Sequence, residues 1–130
     1  MEQVKILAHL AEKAQTSIDE LFEKLVGVQA LVVASIDGFA VASKSIVEVD
    51  ANKIAAMASS FSSLGVVVAQ ESLLGNKKIV TLEADGGYVV LLDIKHAEFP
   101  MILSISASSD VVLAHMLYLA RESINRIAAE

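Results

Sequence analysis

The chain has 130 residues, of which 55% are hydrophobic and 20% are charged, and its formal net charge is -6. This length and composition predict one globular domain, residues 1–130, and argue against a disordered chain. No basic run occurs, and affinity for nucleic acid begins with clustered Lys and Arg, so no nucleic-acid partner is expected. The absence of cysteine excludes disulfides and cysteine metal sites, and it fits a reducing compartment.

The N-terminal segment MEQVKILAHLAEKAQ carries charges throughout, so it does not resemble a signal peptide. The longest uncharged segment, between Lys53 and Glu71, holds four serines and a glutamine. A membrane span needs about 20 mostly apolar residues. We therefore expect a cytoplasmic protein without a membrane span.

Apolar residues at alternating spacings of four and three predict an N-terminal helix. This stripe consists of Val4, Leu7, Ala11, Ala14, Ile18, Leu21 and Leu25. Ser17 and Glu20 also match a capping box, so a second helix could begin there. We predict a helix that ends at Gly27, with residues 1–14 as a helical extension whose first turns could be separate or frayed.

The segment GVQALVVASIDGFAVAS contains two apolar runs on either side of Asp37-Gly38. This arrangement predicts a β hairpin, because glycine adopts a positive φ at little cost. The runs are apolar at nearly every position, so we expect the sheet to be covered on both faces.

The segment KIAAMASSFSSLGVVVAQES predicts a central helix with Asp50 as its N-cap. A stripe of large residues comprises Ile54, Met57, Phe61, Leu64 and Val68. A stripe of small residues comprises Ala51, Ala55, Ala58, Ser62, Gly65 and Ala69. The small stripe is unbroken across Gly65, which favours a helix that continues and is closed by Gly75. The β-branched run Val66–Val68 favours a strand instead.

Three further strands are predicted, with turns at residues 85–87 and 98–100 and a last strand over residues 101–107. A final helix follows, with Ser109 as its cap and Asp110 near its N-terminus. The order α-β-β-α-β-β-β-α indicates an α+β fold in which a mostly antiparallel sheet lies between helices on both faces. The first and last strands are apolar enough to be central in this sheet.

Catalytic chemistry is not expected. The histidines His9, His96 and His115 stand alone, without partners at metal-ligand spacing. The chain also has no phosphate-binding loop and no nucleophile elbow. We therefore predict no catalytic residue, no metal site, no cofactor and no enzymatic activity.

The two stripes of the central helix suggest two contacts. We expect the large residues to face the sheet of the same chain. The small residues lie about 100° around the helix, where they would let a second copy of the helix approach closely. A symmetric dimer through Ala51, Ala55, Ala58, Ser62, Gly65 and Ala69 is the favoured hypothesis, and packing within the monomer is the alternative.

The hairpin segment, the small-residue helix, ESLLGNKKIVTLEADGGYVVLLDI and ILSISASSDVVLAHMLYLARESINRIAA together resemble the roadblock/dynein-light-chain family, in particular its bacterial MglB-like branch. The resemblance covers about residues 15–128. It implies a roadblock (profilin-like) sandwich with a five-stranded antiparallel sheet. It also implies a dimer in which the central helices pair and the sheets join edge to edge through the third strand, about residues 77–84, with Lys77, Ile79 and Thr81 as its interface residues.

The resemblance further implies a homodimeric regulator or scaffold of a small Ras-like GTPase, at most a GTPase-activating partner without an active site of its own. An arginine finger is disfavoured, because the only arginines, Arg121 and Arg126, lie in the predicted final helix. A small-molecule sensor and a purely structural dimerisation module remain the alternatives.

Overall fold

The computed structural model describes residues 2–130, with side chains described from residue 4 onward. Its elements are α1 (Glu2–Lys24), β1 (Val28–Ser35), β2 (Ala40–Ser45), α2 (Ala51–Glu71), β3 (Ile79–Ala84), β4 (Gly87–Ile94), β5 (Met101–Ser108) and α3 (Leu113–Ala128). The predicted order and fold class are confirmed.

The five strands form one antiparallel sheet in the order β2-β1-β5-β4-β3. The strands β1 and β5 lie inside the sheet, as their apolar sequences predicted. Leu31 and Val33 are buried on one face of β1, and Val32 and Ala34 are buried on the other. The sheet edges are β2 and β3.

Helices cover both faces of the sheet. The helices α1 and α3 pack together on one face and close the main hydrophobic core, which includes Ile18, Leu103 and Met116. The hydroxyls of Ser17 and Ser123 meet at 2.7 Å between these two helices. On the other face, α2 lies mainly over β1, β2 and β5.

The N-terminal helix differs from the prediction in three respects. It runs without a break through Ser17, whose buried hydroxyl faces Ser123 and does not cap a second helix. It ends at Lys24, and Gly27 follows with φ 96°. Val4 and Leu7 of the predicted stripe are exposed, whereas Leu10 is buried, because the stripe meets the core only from the third turn onward.

The central helix continues through Gly65, as predicted, and Asp50 accepts a hydrogen bond from Lys53 N at 3.1 Å. The prediction that Gly75 closes this helix was wrong. Leu73 takes the left-handed conformation, with φ 59°. Two backbone bonds, Leu74 N to Ala69 O and Leu73 N to Gln70 O, complete a Schellman motif around it.

The final helix begins later than predicted, with Val112 as its N-cap and no side-chain cap. Ser109 does not cap it, because α3 starts four residues later, at Leu113, and the Ser109 N–H instead donates to Gly86 O in the β3–β4 turn. Tertiary contact therefore replaced the local capping signal.

Candidate interaction surface

The two stripes of α2 face in directions opposite to the prediction. Ala55, Ala58 and Ser62 are buried against the sheet of the same chain, and Ala51, Gly65 and Ala69 are half-buried. The predicted dimer residues Ala55, Ala58 and Ser62 are thus covered within the monomer. Small side chains let a helix lie close to the layer beneath it, which here is the sheet.

Gly65 is required by a contact within the chain. A Cβ atom at Gly65 would lie 2.9 Å from both Lys77 Cδ and Val80 Cγ2. Real Cβ atoms essentially never approach other atoms this closely, so any side chain at this position would force the side chains of Lys77 and Val80 to shift.

The neighbouring Lys77 joins α2 to the sheet through a polar cluster. Its Nζ donates to Asp93 Oδ1 at 2.9 Å and to Ser62 Oγ at 2.5 Å, and the side chain is only 6% exposed. Ser62 Oγ also donates to Asp93 Oδ1 at 3.3 Å. The buried ammonium is therefore both paired and hydrogen-bonded, which offsets the cost of removing it from water.

The large residues of α2 form an exposed apolar face, hereafter the α2 face. It consists of Met57, Phe61, Leu64, Val67 and Val68. Phe61 is 47% exposed and Leu64 is 57% exposed. Contiguous exposed apolar residues on a folded domain mark an interaction site.

A groove of about 360 Å³ adjoins the α2 face. It lies between α2 and the half of the sheet that α2 does not cover, and its floor includes Val80, Leu82, Val89 and Leu91 of β3 and β4. Leu82 is exposed to solvent. The α2 face and this half of the sheet thus form one continuous apolar surface beside the β3 edge.

The two sheet edges differ. On β2, the side-chain amide of Gln15 donates to Ser43 O at 2.9 Å and accepts from Ser43 N at 3.2 Å. On β3, every residue from Thr81 to Ala84 is exposed, while Ile79 packs on the main core. Of the predicted edge residues, Lys77 points into the polar cluster and Thr81 faces solvent. Sequence reasoning missed Gln15, whose local pattern is that of any helix surface residue.

The histidines do not form a site. His9 lies 3.8 Å from Glu130 at the surface, and His96 is buried. His96 Nδ1 accepts the backbone N–H groups of Glu98 and Phe99, at 3.1 and 3.0 Å, so its role is to hold the β4–β5 turn. Among the described residues, no group of three His, Asp or Glu side chains is placed to hold a metal.

By length and composition alone, α2 is apolar enough to cross a membrane, a test that the core helix of a soluble protein also passes. In the structure, α2 is attached to the first hairpin, β1–β2. Ser59 Oγ donates to Ile36 O at 2.6 Å, and Asn52 Oδ1 accepts from Ala40 N at 3.3 Å. These bonds fit a helix that packs on its own domain.

The fold is similar to that of several solved proteins. The Roadblock/LC7 domain from Streptomyces avermitilis superposes with a TM-score of 0.78 at 18% identity, over 87% of this chain and 92% of that one. MglB from Myxococcus xanthus gives 0.76 at 9% identity, over 92% and 87%. A structure described as MglB with tetrameric arrangement gives 0.79 at 10% identity, over 92% and 88%. At these identities the likeness shows the fold alone.

A comparison with curated proteins gave no match. The family model of the Roadblock/LC7 domain, by contrast, matches residues 14–99, which is more than half of the chain. The match spans the second half of α1, the first hairpin, α2, β3 and β4. The chain therefore belongs to the Roadblock/LC7 family.

Proposed function

We propose that the protein is a homodimeric, non-catalytic regulator or scaffold that binds a small Ras-like GTPase and biases its nucleotide state. The observation that carries the proposal is the continuous apolar surface formed by the α2 face and the uncovered half of the sheet. Burial of this exposed apolar area against a partner is favourable, because it removes the area from water.

A second copy is the partner that best complements this surface. Under two-fold symmetry, the α2 face of each copy can lie on the groove of the other, so that one patch serves both subunits. The open β3 edge adjoins the groove, and an exposed edge strand can pair with another strand. The MglB structure with a tetrameric arrangement offers a precedent for assembly within this fold.

The GTPase partner is inferred from the resemblance to the roadblock family and from its MglB-like branch. A dimer can regulate such a partner without catalytic groups of its own, because binding one switch conformation more tightly shifts the equilibrium toward it. We expect the GTPase to contact a surface composed of both subunits.

The dimer is tested by light scattering after size exclusion, which should give about twice the chain mass at micromolar concentration. Phe61→Asp should shift the protein toward monomer, because it places a charge in the apolar surface. Tyr118→Asp is the matched control, since Tyr118 is an exposed aromatic residue on α3, in the opposite layer. A wild-type monomer at these concentrations would contradict the proposal.

The regulatory part of the proposal is tested with a small Ras-like GTPase from the same genome, loaded with GTP or with GDP. Preferential binding of one form, or a changed rate of hydrolysis or exchange, would support the proposal. Equal affinity for both forms would contradict it. The volume of the groove beside the α2 face is also within the range of small-molecule pockets, so a metabolite that co-purifies with the protein would favour a sensor. A dimer that binds neither a GTPase nor a metabolite would favour a structural module.

A further inference from the structure

A second groove, of about 650 Å³, lies on the α3 side of the sheet, where β3 begins and β4 and α3 end. Lys77, Lys78, Lys95 and Arg121 line it, together with Asp93 as the only carboxylate. These are four of the ten Lys and Arg residues of a chain whose net charge is -6. We call it the cationic groove.

Most of this positive charge is not neutralised within the chain. Lys77 is paired with Asp93, but no ion pair among residues 4–130 involves Lys78, Lys95 or Arg121. These three side chains are exposed. Like charges gathered without counter-charges repel one another, so a bound anionic group would stabilise the groove.

The opposite end of the same edge strand is acidic. Glu83 is the penultimate residue of β3 and Asp85 lies in the turn that follows, and both are exposed. The edge strand thus follows an exposed basic residue, Lys78, and is acidic where it ends.

The side chain of Glu83 lies on the face of the sheet that carries the cationic groove. Successive side chains of a strand alternate between faces, so Ile79 and Glu83 share one face. Ile79 lines the groove and packs on the core beneath α1 and α3. When two copies of β3 pair antiparallel, the beginning of each strand lies beside the end of the other.

We infer that the cationic groove receives the acidic end of β3, Glu83 and Asp85, from a second copy of the chain. The inference rests on the dimer of the proposed function and adds to it. Antiparallel pairing brings opposite charges together at both ends of the interface, whereas parallel pairing would bring like charges together. The charges therefore select one orientation of the β3 edges and make the dimer sensitive to salt.

The test uses two charge-reversed variants. The groove variant carries Lys78→Glu and Arg121→Glu, and the strand-end variant carries Glu83→Lys and Asp85→Lys. Each alone should dimerise about 10- to 100-fold more weakly than the wild type, because each copy then repels the other at both ends. An equimolar mixture, with one variant tagged, should form the mixed dimer with near wild-type affinity, since both contacts are restored.

A combined variant, two net-charge controls and the salt dependence of the wild type accompany these variants. A chain with all four substitutions should recover the homodimer. Lys13→Glu with Lys24→Glu, and Glu12→Lys with Glu23→Lys, change the net charge equally on exposed positions of α1 and should not change dimerisation. The wild-type Kd should rise between about 0.05 M and about 0.5 M salt.

The outcomes separate this inference from the proposed function. If the wild type is a monomer at micromolar concentration, the proposed dimer fails and the inference fails with it. If the wild type is a dimer but the groove and strand-end variants dimerise with unchanged Kd, only this inference is overturned. The cationic groove would then face solvent in the dimer and be open to another anionic ligand.

Discussion

The side-chain amide of Gln15 forms two hydrogen bonds with the backbone of Ser43, one through each of its polar atoms. The amide occupies the donor and the acceptor of an edge strand as the backbone of a neighbouring strand would. Edge strands with free backbone groups are sites of unwanted association, and α1 thereby closes the middle of β2. Among the described residues, no side chain forms hydrogen bonds with the backbone of β3 in this way.

Gln15→Leu should therefore open the β2 edge. We expect a loss of about 1 kcal/mol in the free energy of unfolding, because the two bonds to Ser43 and the bond from Gln15 Nε2 to Asp19 Oδ1 are exchanged for bonds to water. We also expect species larger than the dimer to appear on size exclusion as the concentration rises. Glu12→Leu adds the same side chain one turn earlier on α1 and serves as the control. An unchanged elution profile would argue against the idea that Gln15 prevents association through the β2 edge.

Gly65→Leu should destabilise the folded monomer, whereas a Gly65 placed only in a dimer contact, as the sequence predicted, would affect the dimer alone. The new side chain would collide with Lys77 and Val80, and overpacking typically costs about 1–3 kcal/mol. Chemical denaturation at fixed chain concentration measures the loss. Gly65→Ala should show a smaller part of the same loss, since its Cβ alone makes both contacts. A Gly65→Leu variant as stable as the wild type would show that the side chains of Lys77 and Val80 can move aside at little cost in free energy.

Leu73→Gly should stabilise the protein. Leucine in the left-handed conformation costs about 1–2 kcal/mol, and glycine removes that strain. Leu73 is 92% exposed, so little packing is lost. We expect the Tm to rise by about 3–5 °C. Leu74→Gly is the matched control, because Leu74 is 81% exposed and lacks a positive φ. A Tm that falls equally in both variants would mean that the strain is negligible.

Asp93→Asn should be more damaging than the partly exposed position of Asp93 suggests. It leaves the buried Lys77 ammonium without its carboxylate, and breaking such a pair costs about 3–5 kcal/mol when both partners are buried. Because Asp93 is partly exposed, we expect about 2–3 kcal/mol here. Lys77→Met should cost less, since it removes the buried charge itself.

The surface pair between Arg126 and Glu20, at 3.6 Å, supplies the comparison for that prediction. Both side chains are about half exposed, so Arg126→Met should cost less than about 1 kcal/mol. Denaturation curves of the three variants give the ranking. If Asp93→Asn were no more costly than Arg126→Met, the polar cluster would contribute no specific stability.

The sequence by itself determined the elements and their order. Asp37-Gly38 specified the first hairpin, Asp50 specified the start of α2, and the unbroken small stripe carried the helix through Gly65. Each of these signals is local, because it depends on residues within one turn of the chain or on one helical period. The apolar character of β1 and β5 likewise placed both strands inside the sheet.

The tertiary structure decided which way α2 faces. Both stripes have helical spacing, so the period cannot distinguish the face that meets the sheet from the face that meets a partner. That choice depends on how closely the helix can approach β1 and β5, and on Lys77 and Asp93, which lie 15 and 31 positions beyond Ser62 in the chain. The same holds for Ser17, Ser109 and Gln15, whose partners are distant in sequence. Local patterns carry no information about such contacts, because only the packed sheet and helices bring the partners together.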